Sequence, residues 1–305
     1  MAYTSRDDLN YLGMLFQVGD KKTPFLNAVG GLGSGATTNT FEFPLGQKYS
    51  VATGSQPAIT EDASVGSQTA TTVTRSQVYN TTQIFQECYE VSYAKESTFG
   101  NMSGLNLNGN NPVTSELAFQ RMSAMKKIAN DLNYSILRGT YQFSTGKTVA
   151  PKTRGLVTAI TTNAINASSA KLDKDLVDAL LIAMSNKADF ANMVFICGAY
   201  QIAQLNNIFA FQPMSYNVGG TAITKIVTNY GEMGVMFEPN LATTELILAD
   251  MDKIRMIYTP VKGKIVVDEP LAKVGASDKN QIYLQAGIDY GIEEYHGKIT
   301  SLLDS

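Results

Sequence analysis

Between Gly33 and Tyr93 the chain carries few charges and no helical periodicity. Thr, Ser, Gln and Gly dominate, with a thin alternation of apolar residues. Phe41, Phe43 and Leu45 fall on one side of an extended chain. Phe85, Tyr89, Val91 and Tyr93 repeat the pattern, interrupted at Glu87. A period of two marks a β-strand, because successive side chains point to opposite faces. The segment has too few large apolar residues to bury a core alone, and an isolated hairpin is marginal in water. It needs something else to lie on, and that need constrains what the chain can do.

The 305 residues suit one large domain or two of ordinary size. Hydrophobic residues, at 44%, allow a sizeable core, while charged residues reach only 17%, below the roughly 25% of an average domain. So few charges imply either a Ser/Thr/Asn/Gln surface or extensive subunit contact. A net charge of −3 argues against sequence-specific duplex or RNA binding, but permits nucleic acid to be enclosed without being gripped. No N-terminal stretch joins a charged start to an apolar run, so no secretory signal is expected. No run approaches the roughly 18 apolar residues of a membrane span. Cys88 and Cys197 lie far apart and read as two small buried thiols. Asn80, Asn101, Asn133 and Asn166 begin N-x-[ST] matches that read as chance.

Residues 1–38 have the character of an arm. A short helix is expected over Asp7–Val18, with Leu9, Leu12, Leu15 and Phe16 on one face. Thr23-Pro24-Phe25-Leu26 breaks it, and Gly30, Gly31, Gly33 and Gly35 form a joint. Residues 39–94 form the polar β segment. Its tip lies between Thr53 and Gln68, with Glu61-Asp62, and its flanking strands reach roughly 35–50 Å if each runs ten to fifteen residues. A long helix is predicted over 112–138, opened by Asn111-Pro112 and closed by Gly139. Leu117, Met122, Met125, Ile128, Ala129, Leu132 and Ile136 follow three-and-four spacing. Residues 169–254 read as an α/β unit. Asp173 caps a helix, and Met193–Cys197 is a strand covered on both faces. Beyond it, antiparallel strands are expected at 254–258, 264–267, 281–286 and 290–295, with a turn at Lys262-Gly263.

The residues of an enzyme do not assemble in this pattern. His296 is the only histidine and belongs to no triad or metal motif, so it reads as structural. Gly31-Leu32-Gly33-Ser34-Gly35 misplaces the third glycine of a dinucleotide fingerprint. Gly146-Lys147-Thr148 lacks the first glycine of a phosphate loop and follows a helix instead of leading into one. Asp173, Asp175 and Asp178 suit a helix start better than a calcium loop. Glu293 and Glu294, as neighbours on a strand, would point to opposite faces. No catalytic residue, cofactor site or metal site is assigned.

The order of parts resembles the major capsid protein of tailed bacteriophages, the Hong Kong 97-type shell fold. The local likeness is strongest in 269–279, 281–287 and 292–299, and extends to Thr81–Phe85 and Thr23-Pro24-Phe25. The resemblance implies an α+β fold with an N-arm (1–38) and an extended loop (39–94). It implies a peripheral domain (95–168 with 255–305) built on the spine helix 112–138, and an axial domain (169–254). Copies would assemble through pentamers and hexamers into an icosahedral shell enclosing double-stranded DNA in a virion built in the bacterial cytoplasm. A portal protein, a separate scaffolding protein and a decoration protein are the implied partners, with no membrane. Candidate subunit contacts are Phe16 and Phe25 in the arm, then Phe41, Phe43, Lys48, Glu61, Asp62, Arg75 and Tyr79 in the loop. Arg121 and Lys126 are those of the helix. Some relatives crosslink a lysine to an asparagine between subunits. Lys48 is a candidate donor, with no acceptor or catalytic acid assignable. An encapsulin-type shell holding protein cargo is the alternative, and an α/β hydrolase or binding module the third reading.

Overall fold

A computed structural model describes residues 22–49, 54, 56–66, 70, 72–97, 115–209, 212–218 and 221–304. The expected arm helix, Phe16 and the Asn111-Pro112 helix start lie outside these residues.

Along the chain run α1 (Pro24–Ala28), β1 (Ala36–Thr37), β2 (Glu42–Tyr49), α2 (Glu61–Val65), β3 (Arg75–Thr81), β4 (Gln83–Ser92) and α3 (Tyr93–Ser97). Next come α4 (Glu116–Arg138), α5 (Leu156–Ala159), β5 (Ala164–Asn166), α6 (Lys174–Met184), β6 (Met193–Cys197) and α7 (Ala199–Ile208). The chain closes with β7 (Gln212–Val218), β8 (Thr221–Thr228), β9 (Gly231–Phe237), β10 (Leu246–Asp250), β11 (Arg255–Tyr258), β12 (Val266–Pro270), β13 (Ser277–Asp289) and β14 (Gly297–Thr300).

Three sheets organise these strands. A five-stranded sheet is built around the 13-residue β13, which pairs with β4, β11 and β12, while β1 adds to β11. A seven-stranded mixed sheet runs β5-β14-β10-β6-β9-β8-β7, and β2 with β3 forms a separate hairpin. The central strand β6 shows why a continuous apolar run is needed. Val194 and Ile196 face one core, with α1, α4 and the five-stranded sheet. Met193, Phe195 and Cys197 face a second core, with α6. Both faces of the strand are therefore dry.

The long helix α4 is capped by Ser115, whose Oγ accepts from the Ala118 amide at 3.4 Å. Its 23 residues span about 35 Å at 1.5 Å per residue. Ala124, Ile128, Leu132 and Ile136, each four apart, lie on the core side. Met122, expected on that face, is exposed. Gly139 ends the helix where the chain returns against it. A Cβ there would stand 2.3 Å from the Thr153 carbonyl oxygen, so no other residue fits without moving the backbone.

Four expectations meet differences. The hairpin is β2 with β3 alone, because β4 is drawn into the five-stranded sheet through ten register pairs with β13. Its eight- and seven-residue strands are shorter than expected, β2 reaching about 26 Å. β5 and β14, from residues 95–168 and 255–305, pair with each other, and β14 also pairs with β10, so both join the seven-stranded sheet. Residues 290–295 form no strand. Gly291 sits at φ +64° and Glu293–Tyr295 makes a tight helical turn before β14 begins. Cys88 is exposed on β4, whereas Cys197 is buried and its thiol is pushed up to about 12 by desolvation.

His296 is fully buried. Its Nδ1 accepts from the Asp250 amide at 3.2 Å, and its Nε2 bonds the Tyr290 carbonyl at 2.8 Å. This uses both nitrogens of a neutral ring, and burial lowers the pKa to about 4. An unfolded histidine takes up its proton near 6.5. The contribution is therefore complete above pH 6.5 and is lost as pH falls towards 4, by up to about 3 kcal/mol. Denaturant midpoints measured between pH 7 and 4 are expected to show this loss in the wild type, and a flatter profile in His296→Gln.

Candidate assembly surface

The α1 segment is fastened by buried polar groups. Pro24 occupies the first turn of α1, leaving the next amides to find acceptors. The Phe25 amide donates to Glu238 Oε2 at 3.0 Å, and the Leu26 amide to Asn133 Oδ1 at 3.0 Å. Asn133 Nδ2 and the Asn240 amide in turn donate to Glu238 Oε1 at 2.9 and 3.0 Å. Glu238 and Asn133 are both 0% exposed. Desolvation raises the Glu238 carboxyl above its ordinary range, and the bonds from Phe25, Asn240 and Asn133 oppose that rise. Phe25, expected at a subunit contact, is buried in its own core between α1 and α4. It cannot reach a neighbour without unpacking.

The hairpin lies partly on its own subunit. Phe43 and Leu45 point inward and are buried. Gly287 makes room for Phe43, since a Cβ there would stand 3.1 Å from the ring and 2.8 Å from the Thr81 carbonyl oxygen. Phe43 is thus a core residue and not a free contact. Lys48 forms an ion pair with Glu294. The hydrogen bond to Glu294 holds its ammonium above the ordinary range, and an ammonium has no lone pair with which to attack an amide. Arg75 and Tyr79 are exposed on β3, opposite Tyr49 and Pro44.

Thr60 caps α2 by accepting from the Ala63 amide at 3.2 Å, and Glu61 and Asp62 fall in the first turn, where the helix dipole favours acids. All residues from 56 to 66 are exposed. Glu61 and Asp62 are therefore exposed on this subunit.

On α4, Arg121 Nε pairs with Asp268 Oδ2 at 2.5 Å and Lys127 with Glu87 at 2.5 Å. Asp268 also accepts from the Tyr89 hydroxyl at 3.1 Å. Arg121 is committed to its own subunit, although exposed pairs of this kind contribute only about 0.2–1 kcal/mol. Lys127 explains the break in alternation at Glu87: that carboxylate reaches the helix flank. Lys126 is half-buried beside it. Sequence reasoning missed Asn133, Glu238 and Asp268, and set Glu294 aside without its pairing to Lys48. Only Asn133 left a trace, as a polar residue within the apolar stripe of a helix.

A shell-forming subunit is the class these features point to: an exposed tip, an α1 segment held by buried polar groups and a long helix carrying exposed Met122 and Tyr134. A family model described as SU10 major capsid protein matches residues 2–303, and the chain belongs to that family. It is the major capsid protein of a phage. A search of the curated proteins found no match. Among solved structures, the capsid of cyanophage A-1(L) is similar, with a TM-score of 0.64 at 10% identity, covering 96% of each chain. The SrpI encapsulin of Synechococcus elongatus PCC 7942 gives 0.61 at 10% identity, covering 96% of this chain and 92% of that one. Mycobacterium phage Cain gives 0.55 at 10% identity and 98% coverage of each. At such identity these likenesses establish the shared shell fold.

Glu238→Ala would leave three buried donors without an acceptor, at roughly 1–3 kcal/mol each. It is expected to lower the unfolding free energy by about 3 kcal/mol or more and to speed tryptic cleavage at Lys22. Denaturant melts and limited proteolysis check both.

Proposed function

We propose that this capsid protein assembles through pentamers and hexamers into a head enclosing double-stranded DNA. The hairpin, arm and outer face of α4 act as the contacts between copies. The observation that carries this is the α2 tip, which is exposed throughout its described residues 56–66. A large obligate interface would cover it. The low charge fits an inner wall that lets DNA slide, since few phosphates would be held. We assign residues 169–254, extended by β5 and β14, to an axial role around the local symmetry axes, and α4 with the five-stranded sheet to a peripheral one. A portal protein, a separate scaffolding protein and a decoration protein are partners of the same reading, with assembly in the bacterial cytoplasm. The encapsulin alternative rests on shared fold, and protein cargo in purified particles would favour it.

Electron microscopy of the purified chain is expected to show closed polyhedral particles or rings of five and six. Replacing residues 50–74 by an Asn-Gly turn should leave the two cores folded, with circular dichroism unchanged, yet abolish shells. Normal shells from the shortened chain would remove the loop from the assembly surface.

A further inference from the structure

A groove of about 800 Å³ lies at the base of the hairpin, where Phe41 and β4 meet the loop of residues 142–152. Binding clefts commonly run to roughly 300–1,000 Å³. Paired backbone bonds between Gln142 and Lys152, at 3.0 and 2.9 Å, pinch the loop closed. Phe143 on the loop lines the groove together with Phe41 and Ile84, and these are 43%, 47% and 40% exposed. Lys147 and Lys152 stand on the rim, exposed, and neither has an ion pair among the described residues.

The opposite end of the hairpin carries the complement. At the α2 tip, Ile59 and Val65 are 62% and 84% exposed. Glu61 and Asp62 beside them have no cationic partner among the described residues. Exposed apolar carbon next to unpaired acid thus matches exposed apolar carbon next to unpaired lysine. The tip does not lie in its own groove, since every residue from 56 to 66 is exposed.

We propose that the groove of one subunit receives the α2 tip of a second copy. Ile59 and Val65 then cover Phe41, Ile84 and Phe143, and Glu61 and Asp62 meet Lys147 and Lys152. The proposal rests on the shell reading above and names its contact. Because tip and groove sit at opposite ends of one hairpin, each copy that inserts its tip leaves its own groove open. Such a head-to-tail contact propagates into rings and lattices, whereas a self-complementary patch stops at a dimer. The apolar part supplies the burial, and the rim charges set register and exclude wrong partners. Gly146-Lys147-Thr148, set aside as a phosphate cradle, becomes the basic lip of this groove.

Reciprocal charge reversal in the full chain tests the contact. Glu61→Lys with Asp62→Lys, or Lys147→Glu with Lys152→Glu, places like charges together. Either pair is expected to raise the protein concentration for half-maximal shell formation by about tenfold or more at low salt. Combining all four should bring it back to within about threefold of wild type, the coupling expected of groups in contact. If the reversed chains fail to fold, a cysteine pair decides. Val65→Cys with Phe143→Cys, in a Cys88→Ser background, should give a ladder of inter-subunit crosslinks in oxidised particles. Normal shells from either reversal pair, no rescue by the combination, or no ladder in well-formed particles would overturn the contact while leaving the shell reading intact. A wild-type chain that never forms shells would overturn the assembly reading instead.

Discussion

Glu238 is a carboxylate without water. Desolvating such a group costs several kcal/mol unless donors replace the solvent. Here they come from three places: the α1 amide of Phe25, the α4 side chain of Asn133 and the Asn240 amide just past β9. α1, the long helix α4 and the end of β9 are thereby held in one arrangement. If one of these elements shifts, a buried charge or a buried donor is left unpaired. The position of α1 against α4 is set by that requirement.

Around this junction the two cores share a wall. The seven-stranded sheet gives Val194, Ile196, Ile247 and Ala249 to one side, and Phe195, Cys197, Leu246 and Leu248 to the other. A subunit built this way buries both faces of its central strands and leaves residues 56–66 of the hairpin tip exposed. This division suits a molecule whose contacts must form in many copies, because modest contacts made together give a stable assembly.

Much of the architecture was legible before any coordinates. The four-residue recurrence of Ile128, Leu132 and Ile136, the cap at Asp173 and the unbroken run of β6 are local signals, set by periodicity and end chemistry. The candidate contacts were legible only in part. Glu61 and Asp62 are exposed as their position in a turn-rich polar segment implied. Phe25 and Phe43 carry the same apolar signal as a contact residue, yet both pack inward. An aromatic side chain in sequence does not reveal whether its cover is its own subunit or the next. Tyr290–Tyr295 misled for a related reason: its alternation is that of a strand, but no neighbouring strand offers it a ladder.

The sequence by itself determined most of the elements, because helix period, strand alternation and capping residues are written along the chain, and the order of those parts carried the resemblance to a capsid family. Only the tertiary structure decided which strands share a sheet. It drew β4 away from the hairpin and brought β14 back to β10, choices made by pairing between residues far apart in sequence. It also brought Phe41, Ile84 and Phe143 to one groove, with Lys147 and Lys152 at its edge in no ion pair among the described residues. Burial and long-range pairing are properties of the folded surface, which no local pattern records.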